Sequence, residues 1–500
     1  VSSATPVAAA LGPITRWLVL TVAAIGFLFD TYELLMFPVI GAQALSELLG
    51  VAPTDDQVRL WSGRMLWIAA LAGGTFGLLG GYMIDRFGRK TVMIGSILVY
   101  SVSPVVAAFC SQLWELVLFR CTTFIGVCVE LVAAVTWLAE LFSDKRQREL
   151  AIGWTLAFAS LGGILVTEVY NEITAYMRDN PTGVLWLTEL GLEPAAWRYT
   201  LLTGLVPGAL ILVLMPFVPE SGVWKSRKQA GTLRRPSLGQ LFAPDLRKTT
   251  VVTTLLSACG YAAAFGALQL TPLQMAPGLP AIREVQEKQA AELKAAVARQ
   301  KAARNDDEKR AAAQAVAAAK APVTQAINEK RGNLQRWQEL GGLTGRVLFA
   351  VLLVFVASRL LIRLFLLPGL ILFPVTYLVL YQGDYTVFAL AIFFCGLLTV
   401  AQFSYVSEYL PKVFPLHLRG TGSAFATNVG GRMLGTMAAI VNTELLAPLF
   451  LSGEGPEKNP LRVATAAAII GAVVYGVAFL LSFLLPPPIP EDEAEPGRRP

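Results

Sequence analysis

Residues 63–110 read GRMLWIAALAGGTFGLLGGYMIDRFGRKTVMIGSILVYSVSPVVAAFC. Two apolar runs, 63–84 and 91–110, flank a short charged turn from Asp85 to Lys90. Each run has the roughly 20 residues that cross a hydrocarbon core as a helix. Lipid offers the backbone no hydrogen bonds, so such a run pairs its own N–H and C=O groups by coiling. The turn carries Arg86, Arg89 and Lys90, and basic residues in short loops stay on the cytoplasmic side. This stretch therefore predicts both the class of the protein and the direction in which its helices thread the bilayer.

The pattern repeats outward along the 500 residues. Apolar runs fall at about 17–40, 63–84, 91–110, 114–141, 150–172, 199–217, 250–273, 343–358, 365–381, 385–408, 421–443 and 463–485. Charged residues make up only 15% of the chain, against about 25% in soluble domains. The mean hydropathy is +0.57. Loops after the second, fourth and sixth runs are basic, and those after the first, third, fifth and ninth are nearly free of Lys and Arg. The expectation is an all-α membrane protein of twelve transmembrane helices, with both termini in the cytoplasm and residence in the cytoplasmic (inner) membrane. The long basic loop 218–249 separates a six-helix half, 1–217, from a second, 250–485, followed by a cytoplasmic tail, 486–500. Two such halves place a solute site between them at mid-membrane.

Residues 280–341 break the pattern. They are rich in Ala, Lys, Arg, Glu and Gln, strong helix formers too polar to span. Apolar residues recur at helical spacing on both sides of Asn305-Asp306-Asp307, a turn signal. The segment predicts an extracytoplasmic helical hairpin inserted between spans 7 and 8, with its protein partner, if any, left open.

Composition narrows the chemistry. The net charge of +6 sits in short loops, which gives no reason to expect nucleic acid. The five cysteines lie in apolar runs as packing residues, and the single histidine, His417, lies in a polar loop. No metal site, no cofactor and no nucleophile–histidine pair is expected, so the chain does not read as an enzyme. It has no G-x-x-x-x-G-K-[ST] loop of a nucleotide-driven pump. The first apolar run is too long for a cleavable signal peptide.

Charge inside the spans is the informative part, because a charged side chain in mid-bilayer costs a few kcal/mol (~2.5–3.5). Asp30 and Glu33 are three apart in span 1 and share a helix face. Two like charges at reduced hydration resist ionising together, which is what a proton-carrying site requires. Arg120, in span 4, lies about 9 Å of helix below the outer end of its span, at a depth that allows it to pair with either acid. Glu130 lies about 15 Å further along. In the second half Tyr261, Gln269, Gln402, Tyr405, Asn428 and Arg432 are the polar candidates for contact with a solute, although such residues also serve interhelical bonding.

Several stretches resemble one family. Gly81 to Lys90 matches the loop signature G-x-x-x-D-R-x-G-R-K of the major facilitator superfamily at every fixed position. The resemblance implies gating roles for Gly81, Asp85, Arg86, Gly88 and Arg89, with Asp85 meeting the N-terminal end of span 11 near Arg419 to Gly422. Pro219-Glu220-Ser221 is similar to the P-E-S motif of sugar porters and metabolite symporters. Glu140 with Arg146 or Arg148, and Glu408 with Arg419, resemble the paired acid–arginine elements that repeat in both halves and whose implied role is to hold the outward-open state. The corresponding loop of the second half keeps only Arg359 and Arg363. Asp30-Thr31-Tyr32-Glu33 resembles the D-G-[FY]-D element of aromatic-acid and related metabolite:proton symporters, with Thr31 in place of the glycine. Arg120, Gly126 and Glu130 resemble the R-x5-G-x3-E run of the same group, and Asn428 to Arg432 its N-x-x-G-R run.

The expected function is secondary active transport of a small organic solute, an organic anion or a sugar, by alternating access with proton symport. Asp30, Glu33 and Glu130 are the expected proton-site residues and Arg120 the switching partner. The alternatives are a uniporter or exporter of the same fold, or a transporter-like receptor or assembly protein that works through its outer hairpin.

Overall fold

A computed structural model describes residues 12–142, 145–180, 186–230, 238–303, 305–415, 418–449 and 455–489, and every regular element among them is helical. The first part of the chain forms α1 (Pro13–Leu49), α2 (Asp56–Phe87), α3 (Arg89–Ala107), α4 (Leu113–Leu141) and α5 (Lys145–Asp179). The shorter α6 (Trp186–Glu189), α7 (Ala196–Leu202), α8 (Leu205–Leu214) and α9 (Gly222–Gln229) follow. The second part forms α10 (Arg247–Ala263), α11 (Pro280–Ala302), α12 (Asp306–Leu352), α13 (Ser358–Pro374), α14 (Tyr385–Glu408), α15 (Arg419–Phe425), α16 (Ala438–Ile440) and α17 (Asn459–Ser482). Nine helical segments among the described residues are long and apolar enough to cross a membrane. The expected spans 150–172, 343–358 and 421–443 lie in α5, at the end of α12 and from α15 to α16, outside those nine.

The turns follow from local chemistry. Gly50, with φ of 68°, ends α1 in the left-handed conformation, and its N–H bonds back to Glu47. The Asp55 side chain caps α2 by accepting from the Gln57 N–H at 2.8 Å. Gly88 adopts φ of 103° between α2 and α3, a conformation that a side chain resists.

Small residues bring the helices together, as expected where lipid removes the hydrophobic drive between them. Gly162 lets α5 approach the backbone of α1 at Leu28, and Gly126 lets α4 approach α3 at Ser96. Gly341 and Gly345 of α12 lie against the carbonyls of Phe393 and Leu397 of α14, whose Gly396 lies against Gln338 in return.

One boundary differs from expectation. The polar segment does not end at 341. α12 is one unbroken 47-residue helix, and Asn305 caps it by accepting from the Glu308 N–H at 2.7 Å. Its far part packs on α11 through Ala296, Val316 and Ala319. From Asn328 onward it is built into the bundle, where Arg331, Gln335 and Gln338 are fully buried. The polar residues there repeat at helical spacing, so they form one face and leave Leu334 and Trp337 to pack elsewhere.

Regularity also differs along the chain. The extensions of α10 (Ala264–Leu268, Thr271–Met275), α13 (Val375–Leu380) and α15 (Ala426–Gly435) are wide π-helical turns, with another at Val441–Leu446. Such turns aim side chains out of helical register and recur at functional sites. Here they carry Asn428 and Arg432, and Gln269 follows one directly.

Candidate functional site

The centre of the molecule gathers charge from both halves. Asp30, Glu33, Arg120 and Glu130 are all buried, as are Asn428 and Arg432. The Asp30 and Glu130 carboxyls lie within hydrogen-bonding reach of each other, and neither has a donor from the protein. Gly26, one helical turn before Asp30, makes the room: a Cβ there would lie 2.6 Å from Glu130 Oε1. Arg432 reaches Asp30 of this pair electrostatically from the second half, and its Nη1 donates to Asn428 Oδ1 at 2.6 Å. Gly74 and Gly77 of α2 let Asn428 and Arg432 come this close to the first half.

Arg120 does not form the expected ion pair with Asp30 or Glu33. Its two terminal nitrogens donate to the backbone carbonyls of Glu33 and Leu34, both at 2.8 Å. The reason lies in the sequence of α1. Pro38 has no N–H to offer the carbonyl of Leu34 four residues back, and a buried carbonyl without a donor is costly. Arg120 supplies that donor. The rings of Phe37 and Phe124 flank its guanidinium, with centroids at 5.4 and 4.9 Å. Glu33 feels the charge of Arg120 but accepts no hydrogen bond from the protein.

A second network closes the 81–90 turn. Arg89 bridges Asp85 at 3.2 Å and Glu140 at 2.9 Å, and Ser221 also donates to Glu140. Both oxygens of Glu220 accept from the Lys90 N–H, at 3.2 and 3.1 Å. Glu220 thus places a carboxylate at the positive N-terminus of α3. Trp137 is buried and donates to the Pro219 carbonyl at 3.1 Å, and Trp224 donates to that of Asp85 at 2.9 Å. Asp85 pairs with Arg89, one turn away, at the end of α2. Arg86 instead donates to Tyr82 at 3.2 Å and leans on Phe87. Gly81 is open around its Cα.

Hydrogen bonds between the halves gather where α1 turns into α2. Arg64 pairs with Glu444 at 2.7 Å, Arg59 donates to the Thr443 carbonyl, and Asn459 donates to Thr54 and Asp56 at 2.8 and 2.9 Å. Deeper in, Gln274 donates to Ser62 at 2.8 Å and Trp67 to the Met433 carbonyl at 3.0 Å. Glu168 of α5 pairs with Arg336 of α12.

Residues 21–254 match the model of the sugar (and other) transporter family. The sialic acid transporter NanX of Escherichia coli (strain K12) is 27% identical over 40% of this chain and 44% of its own. The 3-(3-hydroxy-phenyl)propionate transporter of the same organism is 31% identical over 39% of this chain and 43% of its own. The chain spans about half the length of the curated relatives it matches. The whole bundle superposes on the crystal structure of the D-xylose-proton symporter with a TM-score of 0.63, at 16% identity, covering 96% of this chain and 99% of that one. Residues 21–254 thus resemble that transporter family, and the bundle as a whole shares the fold of the symporter structure. Its long apolar helices are those of a multi-pass membrane protein.

Within this bundle the expected residues fall into two groups. Asp30, Glu130, Asn428 and Arg432 converge at the centre, and Arg120 and Glu33 adjoin them. Tyr261 and Gln402 line a narrow cleft of about 20 Å³, room for about one water, together with Gly260 and Phe403. Among the described residues, Arg419 Nε donates to the carbonyl of Phe414, at 3.5 Å. His417 and the side chains of Arg146, Arg148, Tyr405 and Glu408 lie outside the described residues. Sequence reasoning missed Gln335, Gln338, Glu339 and Arg346. Glu339 is 6% exposed, its Oε1 accepts from Gln335 Nε2 at 2.8 Å and Gln338 Nε2 at 3.1 Å, and Gln269 lies within reach. Arg346 lies within electrostatic reach of Glu339 and Tyr261. The signal was available: polar residues at 328, 331, 335, 338 and 346 trace one face of a helix.

Proposed function

We propose that this protein is a solute:proton symporter working by alternating access, with twelve membrane spans in two six-helix halves, 1–217 and 250–485. The linker 218–249, the tail 486–500 and both termini then face the cytoplasm, and the protein sits in the cytoplasmic membrane. On that topology the helices from Pro280 to about residue 327 stand as a hairpin on the outer face, between spans 7 and 8. The contacts among Arg59, Arg64, Thr443, Glu444 and Asn459 are then an outer latch, and the conformation is closed to the outside.

The observation that carries the reading is the facing pair of carboxyls, Asp30 and Glu130, with a cation from the opposite half beside them. Two acids in contact, with no donor from the protein, are held together best by a shared proton. Losing it leaves like charges that repel and draws Arg432 in. One protonation event thus acts on both halves. The relatives named above transport a sugar acid and an aromatic acid, and an arabinose-proton symporter of Bacillus subtilis (strain 168) is 26% identical over 37% of this chain. The buried cation of Arg432 at this centre favours an organic anion.

The test is uptake into proteoliposomes under an imposed pH gradient, acid outside, with radiolabelled sugar acids and aromatic acids. Accumulation above equilibrium that an uncoupler abolishes is the expected result. Uptake that only equilibrates, whatever the gradient, would make the protein a uniporter and sink the coupling.

A further inference from the structure

The last turns of α5 and the middle of α12, elements of opposite halves, enclose a cleft of about 160 Å³. It is lined by Asn171, Thr174 and Ala175 of α5 and by Glu329, Asn333 and Arg336 of α12. Each set keeps helical spacing, so each is one face of its helix. Five of these six side chains are polar. A cleft with such walls takes a polar occupant, and its volume is that of about five waters or one small solute. The helices meet beside it: a Cβ at Gly332 would collide with Asn171 Oδ1. Thr174 is 7% exposed, and its hydroxyl finds no partner in the protein. A buried hydroxyl is normally bonded, and this one borders the cleft.

The cleft also carries one charge of each sign. Glu329 Oε1 accepts from Gln325 at 3.0 Å and from Arg178 at 3.4 Å. Arg336 directs Nε and Nη2 at the two oxygens of Glu168. Among the described residues these bonds use one oxygen of Glu329 and two nitrogens of Arg336. The other oxygen and Nη1 remain for a ligand.

We propose that this cleft binds a short zwitterion, an amine and a carboxylate on one small skeleton, and that the bound molecule clamps α5 to α12. The ammonium meets Glu329 and the carboxylate meets Arg336, with the Thr174 hydroxyl as a further donor to the carboxylate. A lone anion would face the charge of Glu329 and a lone cation that of Arg336, and such repulsion is what makes a site selective. Spacing sets the length. Glu329 and Arg336 are seven residues apart, about 10.5 Å of helix. Two charged hydrogen bonds of about 2.8 Å leave about 5 Å between the ligand's nitrogen and oxygen, the reach of β-alanine. A ligand held by both helices favours the conformation in which they lie together. On the topology proposed above this end of α5 faces outward, and the zwitterion acts as a brake on opening there. That consequence, unlike the binding itself, rests on the transport reading.

β-Alanine, propionate and propylamine share a three-carbon skeleton and differ in their charged ends. Calorimetry on the purified full chain in detergent is expected to show β-alanine binding at least about tenfold more tightly than either analogue, the worth of one charged hydrogen bond. Glu329 is exposed, so Glu329→Gln keeps the fold, and it is expected to bring β-alanine down to the level of propionate. Thr174→Val, of nearly the same shape, is expected to weaken β-alanine about fivefold. Equal binding of β-alanine and propionate makes the cleft an anion site, and no binding of β-alanine leaves it to water. Either result overturns the proposal, as does an affinity for β-alanine that Glu329→Gln leaves unchanged. Spin labels at Val51→Cys and Glu457→Cys, one on each half, read the clamp. β-Alanine is expected to enrich the short distances in the wild type and not in Glu329→Gln, and unchanged distances with binding intact overturn the clamp. Failure of the pH-driven uptake described above would remove symport yet leave both readouts standing.

Discussion

Two buried acidic sites in this molecule use the same side-chain chemistry in opposite settings. In the first half Asp30 and Glu130 face each other without a donor from the protein. In the second half Glu339 is clothed by Gln335 and Gln338, with Gln269 in reach. The carboxyl of Glu339 has N–H donors from two amides and a cation, Arg346, in electrostatic reach, and these meet its charge. A carboxyl against another carboxyl changes its favoured partner with each proton gained or lost. The difference separates a site that holds its charge from one suited to responding to protons. It also matches the local backbone: no wide π-helical turn occurs among the described residues of the first half, whereas Gln269, Asn428 and Arg432 sit in or beside such turns of the second.

The largest effect is expected where the first site is broken. Asp30→Asn keeps the shape and removes the exchangeable charge. A two-unit pH gradient supplies about 2.7 kcal/mol per proton, or about 100-fold accumulation. The variant is expected to lose that accumulation while still exchanging solute down its gradient in a counterflow assay. Intact pH-driven accumulation in Asp30→Asn would transfer the proton elsewhere and end the contrast between the two sites.

Arg120→Leu is expected to come next, and to act on stability rather than on coupling alone. The substitution leaves the Leu34 carbonyl, already deprived of a donor by Pro38, with none. An unsatisfied buried acceptor costs about 1–3 kcal/mol, and the apparent Tm of the detergent-solubilised protein should fall by several degrees. Restoring an N–H by Pro38→Ala in the Arg120→Leu background should recover most of it. If it recovers nothing, Arg120 acts through Glu33 as a charge partner and not as a backbone donor.

The spans and the 81–90 turn were legible in the sequence because their signal is local. Apolar length, basic loops and the glycine at 88 follow from covalent neighbours alone. Asp30, Glu130 and Arg432 were legible as charges that ought not to lie in lipid without a reason. Their pairing was not legible. Depth along a helix placed Arg120 opposite Asp30 and Glu33, but the space left by Gly26 gave Asp30 to Glu130, and the proline in α1 gave Arg120 to the backbone. Glu339 was missed for another reason. The composition of 280–341 reads as an exposed arm, and only the tertiary packing of α12 on α5 and α14 shows where the arm ends and the bundle begins.

Gly88→Ala tests the turn of the first half, whose counterpart in the second half keeps only Arg359 and Arg363. A methyl at φ of 103° is strained, and it would lie 2.5 Å from the Glu220 oxygen that caps α3. A cost of about 1–3 kcal/mol is expected for such backbone strain. Uptake velocity should fall more than binding affinity, because the turn moves with the halves and does not touch the central site. Equal losses in velocity and affinity would mean that the turn shapes the site itself.

The smallest effect is expected at the Arg64–Glu444 pair, which joins the halves near the 49–56 turn. Its side chains are 37% and 25% exposed, and ion pairs this open contribute about 0–1 kcal/mol. Arg64→Gln should therefore raise the open population at that end by no more than about fivefold, with the bonds of Arg59 and Asn459 still in place. Spin labels at Val51→Cys and Glu457→Cys report the separation directly. A shift to a fully open distance distribution from this one change would mean that the latch is a single pair rather than a network. The asymmetry would then lie in the ends of the bundle, not in its two acidic sites.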